Sequence, residues 1–552
     1  MIYTRYVSAG PKSRQPSTVQ LSVINRNSTF GAVLALIALI LSTSFAVYAQ
    51  NEAPRLPNVS VAPGYFLAPL TTGLDFPTAI ATSSDKIWVS EAGFLPGFAA
   101  KVKQIDEDGN VTTVLSGTQL AAGRLEGPLT DVTFHDGMLW ITHRQVGVNG
   151  WLVGAISKFD PVDPVATFTT VITNLPSAGD HYTEEIVFDA SGRAYFSQGS
   201  ATNSTVAGAD NWFVTGWLPT APTFHDFAPK DVVLNGTSFR TAFPFPLDPG
   251  ATAITSPYHA FGTGDIPPGT VVHAATPATP QEGIIAGGAS VYSFDPSAAN
   301  PTATLRLEGW GFRNPYGIGI DPFNPNLLFA SNIGSDYRTI TVNGELRVME
   351  SRPIAEDLDD MFVMNIGGNE EFFGWPDLFH DEDTGAVVPV TDERFCEQED
   401  LSFPCPTFVL DDAFRNSLTT QPAFSEFEEH SSANKFDFST SQFFKHVGDI
   451  FVAETGSFVH VTGADEFSGY KVVRVDRQSG GVSDFITHTG ETAEEILSPT
   501  GFDKPIDVKF RNGLMFIVDF GVFEPGLNLQ QPGTGKVWIV SHGKAGIVHA
   551  LR

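Results

Sequence analysis

A strand pattern recurs along the chain six times, and its last copy is one strand short. The first copy joins FPTAIATSSDKIWVSEAG to AKVKQIDEDGNVTTVLSG, and the second joins GPLTDVTFHDGMLWITHRQ to GAISKFD and TFTTVITNL. The third and fourth open at HYTEEIVFDASGRAYFSQG and RNPYGIGIDPFNPNLLFASNIG, the fifth and sixth at HVGDIFVAETG and KPIDVKFRNGLMFIVDFG. Each is rich in Val, Ile, Phe and Trp and is broken by turn residues, the signature of short antiparallel strands. Six such units predict an all-β fold, a six-bladed β-propeller. After KPIDVKF, LMFIVDF and GKVWIVS the sixth copy has no fourth strand, whereas VAPGYFLAPLTTGL stands ahead of the first copy without a unit. Pairing the two closes the ring and removes an open edge. The expected organisation is one propeller over 51–552, with Pro-, Gly- and Thr-rich excursions at roughly 203–287 and 377–440 that lack the period.

Composition agrees: 52 Gly and 38 Pro against 17% charged residues favour turns over long surface helices. The N-terminal segment carries Arg5, Lys12, Arg14 and Arg26, no acid, then AVLALIALIL at 32–41 and a small-residue site ending at Ala49. That layout predicts a secretory signal peptide over 1–49. The apolar run is short for a spanning helix, which needs about 20 residues, so a membrane is a partner only if the segment is uncleaved. A secreted or periplasmic location is expected. The net charge of −30 becomes more negative without those four basic residues, and such a surface repels nucleic acid. The two cysteines, Cys396 and Cys405 in FCEQEDLSFPC, are expected to form a disulfide in an exported chain.

Three places along the repeats carry polar chemistry. NLPSAGDHYTEEIVF sets Asp180 and His181 where the third copy begins, and EGWGFRNPYGIGIDP sets Arg313 and Asn314 where the fourth begins. First strands of a propeller line its channel, so His181 and Arg313 are expected to face one site. A histidine there suits a general base oriented by a neighbouring carboxylate, and it equally suits a hydrogen bond at a strand start. In NIGSDYR, the carbonyls of Gly334 and Ser335, with Asp336 nearby, are candidates for a hard cation such as calcium, although Gly-Ser-Asp is also an ordinary turn. LDDMFVMNIGGNEEFFGWPDL adds Asp359, Asp360 and Trp375, the last read as a packing corner.

Taken together, GDH at 179–181, RNPYG at 313–317 and FGWPD at 373–377 resemble the glucose/sorbosone dehydrogenase family, six-bladed propellers that include soluble sugar dehydrogenases using pyrroloquinoline quinone (PQQ) and calcium. The resemblance covers nearly the whole chain after the N-terminal segment. It implies that His181 is the base, that Asp180 contacts the sugar, that Arg313 and Asn314 contact the quinone, and that Gly334 and Ser335 help hold calcium. It also implies a sugar or polyol substrate and an external electron acceptor. Glu126 stands where the family has a sugar-contacting glutamine, and Gly456 and Ser457 where it has a lysine. Lys504 and Ile506 stand where it has two arginines, leaving Lys504 as the cation expected there. Two other classes fit the pattern: a calcium-dependent lactonase propeller using Glu126, Asp180 and Asp336, and a non-catalytic glycan- or surface-binding propeller.

Overall fold

A strand wedged between two neighbours has no solvent face, and its sequence reads as a continuous apolar run. Such runs form the second strands of the repeats: Ile87–Glu91, Ala194–Gln198, Ile450–Glu454 and Leu514–Asp519 are buried along their whole length. The structure, a computed structural model, describes residues 59–242, 252–342, 345–355, 357–381, 384–396, 405–458, 467–490, 493–525 and 529–543. The segment 1–49, expected to be a signal peptide, lies outside them.

The strands assemble into six antiparallel sheets arranged as the blades of a propeller. Their innermost strands are Pro77–Thr82, Glu126–His135, Thr183–Phe188, Asn314–Ile320, Ala433–Phe438 and Pro505–Arg511, for blades 1 to 6. Apolar layers fill the space between neighbours; Trp140, Ile156 and Leu175 of blade 2 meet Ile186, Phe196 and Phe294 of blade 3 in one of them. Tight hairpins join first to second strands where the sequence supplies residues that accept positive φ, as at Asp136-Gly137 (φ 49° and 78°) and Asn512-Gly513 (53° and 77°).

The ring closes as the truncated sixth repeat predicts. Tyr65–Leu74 pairs antiparallel with Gly535–His542, Tyr65 opposite His542 and Leu74 opposite Gly535. Two additions were not legible in the repeats. Val59–Val61 adds a fifth strand to blade 5 against Val482–His488, and Glu371–Phe372 runs parallel to Arg306–Trp310 at the edge of blade 3. Both cover outer edges that would otherwise present unpaired amides. The first excursion leaves blade 3 between Ala194–Gln198 and Ser290–Phe294, and the second leaves blade 4 between Asp360–Asn365 and Ser425–Glu426. Residues 433–438 fall inside the expected second excursion, yet they pair as the first strand of blade 5, because their alternating apolar residues pack between neighbouring blades.

Carboxylates at the inner strands stitch four of the six blade junctions. Asp131 accepts the amide of Ile186 (3.1 Å), Glu185 that of Ile318 (2.8 Å), Asp437 that of Phe510 (2.7 Å) and Asp507 that of Ile80 (2.8 Å). Two lysines then cross the middle. Lys435 of blade 5 reaches Asp131 (2.6 Å) and the Thr130 carbonyl (2.7 Å) in blade 2, and Lys509 of blade 6 reaches Glu185 (2.6 Å) in blade 3. The Lys435 and Asp131 side chains are fully buried, so the channel has a floor.

Candidate functional site

The site is built where blades 3 and 4 meet, and Gly199 decides its geometry. A Cβ on Gly199 would stand 2.3 Å from the His181 Cβ and 2.6 Å from Asn314 Oδ1, so only glycine lets these two side chains approach the same spot. His181 Nδ1 lies 2.9 Å from the Ser200 carbonyl and 3.2 Å from its hydroxyl. A ring nitrogen facing a carbonyl carries the proton, which leaves the lone pair on Nε2. Among the described residues Nε2 has no hydrogen-bond partner. The Ser200 amide donates to the Arg313 carbonyl (2.9 Å), and Asn332 Oδ1 accepts the amides of Arg313 and Asn314 (2.9 and 3.0 Å). His181, Arg313 and Asn314 are thus brought together, as the repeat positions predict.

Arg313 is almost wholly buried. Its Nη2 donates to Asp336 Oδ2 (2.6 Å), and its Nη1 donates to the carbonyls of Gly334 and Ile333. Its Nε is buried without an acceptor, and Asn314 Oδ1 is buried without a donor. Burial first, and the Arg313 charge second, push the His181 imidazolium down to about 3, so the ring is neutral at physiological pH. Although burial opposes it, Arg313 and the nearby His430 hold the Asp336 carboxyl well below its usual range.

The other expected ligands are engaged by partners within the chain. Both Asp180 oxygens are engaged, by Trp217 Nε1 (2.6 Å), Asn211 Nδ2 (3.1 Å) and Arg338 Nη1 (2.5 Å). Burial raises the Asp180 carboxyl, but Arg338 and then His181 outweigh it and keep the group ionised below its ordinary range. The amides of Gly334 and Ser335 donate to Asp359 Oδ1 (2.8 Å) and Asp357 Oδ2 (2.5 Å), and the Gly334 carbonyl accepts from Arg313. Lys504 is fully buried in a box of its own, 4.3 Å from the Phe458 ring centroid, 4.5 Å from that of Tyr470 and 3.6 Å from Glu524. Its Nζ also lies 3.4 Å from the Ser457 carbonyl, and burial pushes it down to about 8. Glu126 is half-buried at the start of blade 2, its Oε1 accepting the Gly123 amide (3.1 Å). Trp375 is a packing corner, its indole nitrogen donating to the Asn203 carbonyl (3.2 Å). Cys396 and Cys405 are joined.

Two cations escaped the sequence reading. Arg338 bridges Asp180 and Asp210 (3.1 Å) from the hairpin Thr339–Val342/Glu345–Val348, which belongs to no repeat. Arg144, at the end of the second strand of blade 2, lies 5.2 Å from the Tyr182 ring centroid. Its Nε donates to the Gly127 carbonyl (2.5 Å), and its Nη groups have no acceptor among the described residues. The THRQ run of that strand was the available signal, a basic residue on the rim beside the third repeat.

No protein-family model matches the chain, and no curated protein sequence is similar to it. Among solved structures it is similar to the calcium structure of a Trichoderma reesei enzyme of carbohydrate-active family AA12, at 16% identity over 90% of this chain and 100% of that one, with a TM-score of 0.50. It is also similar to the holo form of the PQQ domain of Coprinopsis cinerea pyranose dehydrogenase (16% identity, 88% and 98% covered, TM-score 0.49). A third likeness is to the apo form of the soluble aldose sugar dehydrogenase of Escherichia coli (13%, 87% and 99%, 0.46). At these identities the first likeness speaks for fold alone, and the six-bladed propeller that the sequence resemblance implies is the fold this chain has.

Proposed function

We propose that the chain is a sugar or polyol oxidoreductase of the quinone-dependent type, with His181 as the base. The observation that carries this reading is that three residues brought together where blades 3 and 4 meet each hold a polar atom without a hydrogen-bond partner among the described residues: His181 Nε2, Arg313 Nε and Asn314 Oδ1. Oxidising a carbinol to a carbonyl removes a proton from oxygen and a hydride from carbon, and His181 Nε2 is the group for the proton. Ser200 fixes the tautomer, and the ionised Asp180 behind it stabilises the imidazolium as it forms. PQQ, when bound, supplies a two-electron acceptor for the hydride. Arg313 and Asn314 fit it, offering a buried N–H donor and a carbonyl acceptor beside the base. Arg144 adds a cation on the same rim, and Lys504, enclosed in its aromatic box, adds none. Calcium does not fit at Gly334 and Ser335 as they stand, because a cation at the Gly334 carbonyl meets the Arg313 guanidinium.

The reading includes export, supported by the disulfide and the signal-like segment, and an external acceptor that reoxidises the quinone. Protein lacking residues 1–49, supplied with PQQ and an aldose and polyol panel, is expected to reduce an artificial dye. His181→Ala is expected to lower turnover by about 10²- to 10⁴-fold. Calorimetry that detects no quinone binding sinks the redox reading.

A further inference from the structure

We infer that a hard divalent cation binds between Asp210, Glu350 and Ser351, behind Asp180 and apart from Gly334 and Ser335. The residues come from two separate insertions. Asp210 opens the short helical turn Asp210–Phe213 in the blade 3 excursion, and Glu350 and Ser351 follow the hairpin that carries Arg338 into blade 4. Asp210 gives Oδ2 to Arg338, while its Oδ1 is buried without a donor. Both Glu350 oxygens are buried without a donor, and Arg338 Nε, 3.8 Å from Oε1, is beyond hydrogen-bond reach. Ser351 Oγ is likewise buried and unpartnered. Gly208 shows that two of these atoms share a space: a Cβ there would stand 2.7 Å from Asp210 Oδ1 and 2.8 Å from Ser351 Oγ, with Glu350 adjoining Ser351 in the chain.

Charge leads to the same place. Asp180, Asp210, Asp336 and Glu350 surround Arg313 and Arg338; the further basic groups are His430, 3.6 Å from Asp336 Oδ1, and Arg352, which is already paired with Asp377 at 2.9 Å. Carboxylates in excess of their cations are not tolerated in a buried cluster unless something neutralises them. Oxygen donors alone select calcium or magnesium over softer metals. Among the described residues no three His, Cys, Asp or Glu side chains converge at ligand spacing. The two carboxylates therefore share the ion with the Ser351 hydroxyl, carbonyls and water, a mixture that calcium accepts.

The test is a calcium chloride titration of chelator-stripped protein, without substrate or quinone, so that its outcome is independent of the redox reading. Wild type is expected to bind calcium by calorimetry, with a melting temperature raised by several degrees. Glu350→Gln is expected to weaken binding by about tenfold or more, since affinity follows ligand charge. Ser351→Ala is expected to weaken it by about threefold and to leave the calcium-free melting temperature unchanged. A wild type indifferent to calcium overturns the inference. So does calcium binding that Glu350→Gln leaves intact, which assigns the ion to another site. If Glu350→Gln does not fold, Ser351→Ala decides, and unchanged affinity there overturns it.

Discussion

The floor of the channel and its rim use the same residue types to opposite ends. On the floor, Lys435 meets Asp131 and Lys509 meets Glu185, each at 2.6 Å, while Asp131, Glu185, Asp437 and Asp507 accept amides of the following blade. At the rim, Arg313 and Arg338 face four carboxylates, and oxygens of Asp210 and Glu350 accept nothing. A buried carboxylate matched by a cation and an amide is completed by the protein itself. One left unmatched is costly unless a proton or an ion arrives. Two floor oxygens lack a hydrogen-bond donor among the described residues: Asp507 Oδ1, which has Lys509 3.4 Å away, and Glu184 Oε2, on a carboxyl that burial pushes up to about 7. The floor is therefore the closure of the fold, and the rim is where it is incomplete without a ligand.

Breaking the floor is expected to have the largest effect on stability. Lys435→Met strands Asp131 in a fully buried site, and denaturant unfolding is expected to show a loss of about 3 to 5 kcal/mol. Adding Asp131→Leu is expected to recover part of it, because the stranded charge is removed while the Ile186 amide loses its acceptor. Glu350→Gln is expected to go the other way. In calcium-free protein at pH 8 it removes an unmatched charge and leaves stability unchanged or higher by up to about 1 kcal/mol. If both substitutions destabilise alike, the distinction between floor and rim fails.

Two cations sharpen the same contrast at intermediate size. Lys504→Met removes a buried ion pair with Glu524 and two ring contacts, at an expected cost of about 3 kcal/mol. Quinone affinity by calorimetry is expected to stay within about twofold. Arg144→Ala, which loses the Gly127 hydrogen bond and the Tyr182 ring contact, is expected to cost about 1 kcal/mol of stability and to weaken binding of the anionic quinone by about tenfold or more. The reverse pattern would make Lys504 the cofactor ligand.

The repeats made the blades legible because each blade buries its second strand on both faces and turns at Gly, Asn or Asp, which forces a local pattern. Closure was legible for the same reason, since a strand absent at one end of the sequence stood at the other. Val59–Val61 and Glu371–Phe372 were not, because a two- or three-residue edge strand carries too little pattern to be seen. At the site, His181, Arg313 and Asn314 were legible from their positions in the repeats. Arg338, Asp210 and Glu350 were not, because they lie in insertions where no period relates one to another, and only the folded chain brings residues 128 positions apart into an ion pair. Lys504 shows the converse limit. Its place in the sixth repeat was right for a channel cation, but Phe458 and Tyr470, carried by the fifth blade's loops, enclose it instead.

The smallest expected effects are on pH dependence, and they separate protons from ions at the rim. His181 falls from the usual imidazole value near 6.5 to about 3, so it is deprotonated at every pH above that, and kcat/KM for dye reduction is expected to show no acid-side fall between pH 7 and 5 on its account. Its effect on stability has a definite sign: the unfolded chain takes up a proton on this residue below about 6.5 that the folded chain refuses, so its contribution is lost as pH falls from there. Asp210 and Asp357, raised by burial to about 7 and about 8, act oppositely. The folded chain keeps protons that the unfolded chain releases above about 4, so their contribution is lost as pH rises through 7 and 8. Floor carboxyls share this direction, Glu185 being raised to about 7, and with several such groups against one imidazole the melting temperature of calcium-free protein is expected to fall from pH 5 to pH 8. Saturating calcium displaces the rim protons and not those of the floor, so it is expected to make the fall shallower without abolishing it. Equal slopes with and without calcium would mean that protons complete the rim as they complete Glu184, and that floor and rim differ in charge balance but not in what fills them.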